Sequence, residues 1–185
     1  KILVLEESGF FLHNSTMTDK KKISILDSTL RDGSQGEGIS YSVQDKINIV
    51  LALDELGVTF IEAGNPGSNP KDMEFFIEAK KLQLKNSKIV AFGSTRRRDL
   101  SCAEDVNLQS LLSADTEYVC IFGKTWDFQV TDILHATLDE NIEMIRDTVA
   151  YLKSKDKKVI FDAEHFFTGY KANPEYALKS LEAAV

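Results

Sequence analysis

Residues 23–38 read ISILDSTLRDGSQGEG. Ile23, Ile25 and Leu26 form a short apolar run that suits a strand, and a polar, glycine-bearing loop begins directly behind it. The strand therefore delivers an acid, Asp27, and then Thr29-Leu30-Arg31-Asp32-Gly33 at its C-terminal end. The glycines come late: GSQGEG at 33–38 lacks the GxGxxG spacing of a dinucleotide loop. The first strand thus ends in charged side chains rather than in a phosphate cradle.

The same unit recurs along the chain. Strands are predicted over Ile23–Ser28, Val58–Ala63, Lys88–Gly93, Tyr118–Phe122 and Lys158–Ala163, as continuous apolar runs that suit strands buried on both faces. Helical periodicity fills the intervals at Val43–Leu56, Pro70–Leu84, Ala103–Ala114, Leu138–Lys153 and Pro174–Val185. Ser42 is placed to cap the first helix and Gly57 to end it. Alternating strands and helices imply a parallel sheet with right-handed crossovers.

A doubly wound sheet and a barrel both fit that alternation. What separates them is where the polar residues fall: Glu62 and Asn65, Gly93-Ser94-Thr95-Arg96, and Asp162 with Glu164 all follow strands. In a barrel these ends converge on one face. The expected fold is α/β, a TIM (β/α)₈ barrel with roughly the first five βα units present. Five units take about 165 residues, so eight would take about 260, an ordinary barrel size. Residues 1–20 are expected to be an N-terminal extension or tag-like segment, and 21–185 the N-terminal portion of the barrel. Since five strands cannot close, the edge of the fifth is expected to be covered by another chain or by further polypeptide.

Composition narrows the function. The 185 residues carry a net charge of −7, which argues against a nucleic-acid surface or a polybasic membrane surface. Nothing approaches the roughly 18 uninterrupted apolar residues of a membrane span. Arg96-Arg97-Arg98 is a local exception; Arg96, with Ser94 and Thr95, is a candidate for substrate or coenzyme phosphates, whereas Arg97 and Arg98 read as a solvated loop balanced by Asp99. Cys102 and Cys120 fit no CxxC pattern and read as reduced thiols of a cytoplasmic protein, Cys120 in the core. His13 and His135 have no partner at ligand spacing. The opening KILVLEESGFFLHNST is neither a clean signal peptide nor periodic; it is either sequence upstream of a start at Met17 or an ordered extension.

Residues 26–46, LDSTLRDGSQGEGISYSVQDK, resemble the first-strand signature of the isopropylmalate, citramalate and homocitrate synthase family, related more distantly to hydroxymethylglutaryl-CoA lyase. The mark is Asp/Glu-x-Thr-Leu-Arg-Asp-Gly-x-Gln, here Asp27 to Gln35. FIEAGNPGSNPKD (60–72), AFGSTRRRD (91–99) and FDAEHFFTGYKANPEYAL (161–178) are similar too, and look most like citramalate synthases of the bacterial isoleucine route.

The resemblance implies condensation of acetyl-CoA with a 2-oxo acid, pyruvate or 2-oxoisovalerate, on a divalent metal (Mg²⁺, Mn²⁺ or Zn²⁺), in a cytoplasmic homodimer. That chemistry needs a group to polarise the keto oxygen and a base to take a methyl proton. Asp32 matches the family's metal ligand, Arg31 its catalytic arginine, and Glu164 a glutamate of the proton-transfer network. Glu62, Gln35 and Ser94 are expected at the substrate. Alternation puts Asp162 and Glu164 on one side of their strand, the barrel interior, and turns His165 outward. The family completes its metal site with a His-x-His pair and an Asn beyond residue 185. Two other readings stay open: a carbon–carbon lyase on the same scaffold, and a non-catalytic half-barrel.

Overall fold

The computed structural model describes the backbone of residues 2–5 and residues 23–185 in full. His13 and Met17 lie outside the described residues. Among the described residues six strands make one sheet: β1 (Ile2–Leu5), β2 (Leu26–Asp27), β3 (Phe60–Glu62), β4 (Lys88–Ser94), β5 (Tyr118–Lys124) and β6 (Lys158–Glu164), in the order β1-β6-β5-β4-β3-β2. From β2 to β6 every pair is parallel and in chain order. That order is the wall of a barrel, not a doubly wound sheet. β1 departs from expectation. It pairs antiparallel along β6, Ile2 opposite Ala163 and Leu5 opposite Ile160, so this edge is covered by the chain's own backbone.

The helices sit where the periodicity puts them. They are α1 (Val43–Leu56), α2 (Pro70–Ala79), α3 (Val106–Ala114), α4 (Leu138–Ser154), α5 (Phe166–Ala172) and α6 (Pro174–Glu182). α1 starts with a capping box between Ser42 and Asp45 and stops at Gly57, whose φ of 85° costs a glycine little. α4 repeats the box with Thr137 and Glu140, and prolines open α2 and α6. The α5 helix, a π-turn at Gln129–Ile133 and a 3₁₀ turn at Gly33–Gln35 were not expected from periodicity, being too short to show one.

Strand alternation divides the core in two. Ile61, Ala91, Val119, Ile121 and Phe161 pack outward against Leu108, Leu111, Ile145, Val149 and Leu152 of the helices, all buried. Each of these side chains except the small Ala91 contributes about 1.5–3 kcal/mol by leaving water. Phe60, Val90, Tyr118, Cys120 and Ile160 point the other way and fill the base of the interior. The next inward positions up each strand are Glu62, Phe92, Phe122, Asp162 and then Lys124 and Glu164. The polar layer thus lies above an apolar plug, at the C-terminal strand ends.

Candidate active site

The loop after β2 folds tightly. Ser28 O accepts from the backbone N–H of Arg31, Asp32 and Gly33, and Asp27 accepts from the N–H and hydroxyl of Thr29. The Asp27 carboxylate is therefore a turn-former. It sits at the strand end but lines no part of the cleft. The turn throws Arg31 inward and leaves Asp32 at the rim.

Arg31 is 9% exposed and held on three sides. Its Nε donates to Glu62 Oε2 at 2.6 Å, Nη1 donates to Asp32 Oδ1 at 2.8 Å, and the guanidinium lies 4.0 Å over the Phe92 ring. Nη2 is buried and, among the described residues, has no partner. An unsatisfied buried donor costs about 1–3 kcal/mol, which a fold tolerates where a ligand acceptor completes it. Glu62, 1% exposed, stands behind the guanidinium and fixes it, away from the cleft wall.

The cleft holds about 520 Å³ and is lined by Arg31, Asp32, Gln35, Phe92, Phe122, Asp162 and Glu164, together with the segment from His165 to Thr168. Phe92 and Phe122 stack at 5.4 Å and 21°, forming an apolar wall beside the arginine. Asp162 and Glu164 face inward together, as alternation requires. His165 does not turn outward; it lines the cleft, because its φ of 55° breaks the strand and starts α5. Gly169 seats α5: a Cβ there would lie 2.4 Å from Thr125 O, so only glycine lets the helix meet the β5 loop this closely.

Other expected residues are placed elsewhere. Ser94 accepts from Asn107 Nδ2 at 3.2 Å and is not on the cleft wall. Arg96 donates through Nε and Nη2 to Asp147 and through Nη1 to the carbonyls of Arg97, Arg98 and Leu100, which leaves it structural. Arg98 bonds Asp99 and the carbonyl of His135. Both cysteines are free thiols and buried; burial first, then Glu62, pushes Cys120 well up.

Sequence reading missed Phe92, Phe122, Lys124 and the His165–Thr168 segment. Lys124 donates to Glu164 Oε2 across neighbouring strands. The predicted strand stopped at Phe122, whereas β5 runs to Lys124. Period-2 spacing through Tyr118, Cys120, Phe122 and Lys124 was the available signal.

Among the described residues no group of three or more His, Cys, Asp or Glu could hold a metal ion. Asp32 offers one half-exposed carboxylate whose Oδ1 already accepts from Arg31. A hard divalent cation takes six or more oxygen donors, so these residues alone do not make a metal site.

The chain belongs to the HMGL-like family, whose model matches residues 22–185. It is 57% identical over 165 residues to the (R)-citramalate synthase of Aquifex aeolicus (strain VF5), covering 89% of this chain and 31% of that protein. The (R)-citramalate synthase of Geobacter sulfurreducens is 53% identical over 162 residues, 88% of this chain and 31% of that protein. The chain thus spans about a third of the length of these curated relatives. Among solved structures, the HMG-CoA lyase of Bacillus subtilis superposes with a TM-score of 0.56 at 19% identity, covering 76% of this chain and 45% of that one. That likeness concerns the fold, a TIM barrel of which this chain holds the N-terminal part. No described helix is long and apolar enough to cross a membrane.

Proposed function

We propose that the polypeptide carrying this chain is an acyltransferase that condenses acetyl-CoA with pyruvate to give citramalate, in the isoleucine branch of amino-acid biosynthesis. Residues 21–185 are the N-terminal portion of its catalytic barrel. The single observation that carries the reading is Arg31: a guanidinium fixed by Glu62, with Nη2 buried beside the cleft and, among the described residues, no acceptor of its own. Such a donor suits a keto oxygen that becomes an alkoxide as the new bond forms. Glu164, on the same cleft, takes the methyl proton from the thioester, and the resulting enolate carbon attacks the keto carbon. Water then cleaves the thioester C–S bond, leaving the citramalate carboxylate and coenzyme A as the free thiol. Gln35 is the polar group at the substrate's edge.

We take pyruvate as the substrate rather than 2-oxoisovalerate, which would give 2-isopropylmalate. Identity to (R)-citramalate synthases supports the same choice. Asp32 contributes one carboxylate toward a divalent ion; a Lewis acid there would polarise the keto group. The assembly is a cytoplasmic homodimer.

The test is thiol release from acetyl-CoA by the full-length polypeptide with a panel of 2-oxo acids. Pyruvate should give the highest kcat/KM. No thiol release with any 2-oxo acid would sink the reading, and cleavage of a 3-hydroxyacyl-CoA in its place would establish a lyase.

A further inference from the structure

We propose that Lys124 is the positioning residue that orients the Glu164 carboxylate for proton transfer. The inference rests on the role given to Glu164 above and adds a residue to it. Lys124 and Glu164 are register partners on parallel strands β5 and β6, so their side chains leave the sheet side by side on its inner face. Nζ donates to Oε2 and the two form an ion pair, their side chains 17% and 32% exposed. Among the described residues the other oxygen, Oε1, takes no hydrogen bond. Glu164 lines the cleft and Lys124 does not, so the ammonium stands behind the carboxylate and out of the substrate's path.

Lys124 is itself fixed. Asn141 Nδ2 donates to its carbonyl at 2.8 Å, and Nζ lies 5.4 Å from the centroid of the Phe122 ring. Thr125 Oγ1 donates to the Glu164 carbonyl at 2.6 Å, tying the two strand ends together. A glutamate at a strand end has three side-chain torsions to order, and a base works only within about 2.6–3.2 Å of the proton it takes. An exposed lysine–glutamate pair would contribute little to stability. A pair anchored at both backbones and set at the cleft wall restricts where the free oxygen can point. In the reaction Oε1 accepts one proton from the thioester methyl carbon, the C–H electron pair passes into the enolate, and Lys124 neither gains nor loses a proton.

Three measurements on the full-length polypeptide test this: kcat, KM for each substrate, and the isotope effect with trideuterated acetyl-CoA. Lys124→Met should lower kcat roughly tenfold, part of the 10²–10⁴ that a positioned base contributes. Both KM values should stay within about twofold, and the isotope effect should grow as proton removal becomes limiting. Lys124→Arg, which keeps an ion pair, should recover most of the turnover. Thermal melting of both variants separates misfolding from mispositioning. An unchanged kcat in Lys124→Met would overturn the proposal. So would a raised KM at constant kcat, which would make Lys124 a substrate anchor, or equal losses in the Met and Arg variants. A wild type that releases no thiol would overturn the condensation reading along with it; an active wild type indifferent to Lys124 would overturn this inference alone.

Discussion

Two arginines follow strands at the mouth of this half-barrel, and they differ in one nitrogen. Arg31, after β2, keeps Nη2 unpaired among the described residues beside the cleft. Arg96, after β4, donates to Asp147 and to three backbone carbonyls, and it faces the gap beside α4. Both are strand-end arginines in polar loops, and a sequence pattern scores them alike. What separates an arginine with a donor to offer from a scaffolding one is the remaining N–H, which is decided by neighbours far away in the chain. Glu62 is 31 residues from Arg31, and Asp147 is 51 from Arg96.

The harshest way to break the comparison is to remove the partner that fixes Arg31. Glu62→Leu leaves a buried guanidinium without its main counter-charge, so stability should fall by about 3–5 kcal/mol, read by urea unfolding of the 185-residue chain. A loss under about 1 kcal/mol would show that Glu62 does not hold the arginine. Next in size, Arg31→Lys in the full-length polypeptide should lower kcat by roughly 10²-fold, because an ammonium cannot reproduce the fork. Steady-state kinetics check this, and near wild-type turnover would remove Arg31 from its role.

Arg96→Gln sharpens the contrast from the other side. It should cost about 1–3 kcal/mol of stability through lost charged hydrogen bonds, while kcat of the full-length polypeptide stays within about twofold. Differential melting and the same assay read both numbers; a large fall in kcat would mean that Arg96 reaches the substrate.

The smallest effect concerns Asp54, the carboxylate counterpart of Arg96. The backbone N–H of Lys85, then that of Asn86, with Ser87 adding, hold its carboxyl below the ordinary range. A carboxyl lowered in the fold and ordinary when unfolded stabilises fully above the ordinary value, and that contribution fades as pH falls through the lowered one. The stability gap between wild type and Asp54→Asn should therefore hold above about pH 5 and narrow as pH falls below the ordinary carboxyl value of 3.8. A gap independent of pH would show that the charge of Asp54 does not matter.

Much of the fold is legible in the sequence. The strand–helix alternation, both bounds of α1, the Ser42 and Gly57 caps and the inward pairing of Asp162 with Glu164 all follow from local rules: periods of 3.6 and 2, side chains that cap, and a glycine at positive φ. Arg31, Asp32, Gln35 and Glu164 were singled out by motif, and the fold brings them to one cleft. Ser94 and Arg96 were singled out by position alone, and their polar atoms are taken by Asn107 and Asp147. The sequence by itself determined the order of units and the faces of the strands, because these depend on neighbours a few residues apart. Only the tertiary structure decided which donor is left over, that β1 covers the β6 edge, that Lys124 meets Glu164 and that His165 turns into the cleft. Each of those is settled by packing between segments 31 to 161 residues apart or by a single backbone torsion, and neither leaves a period to read.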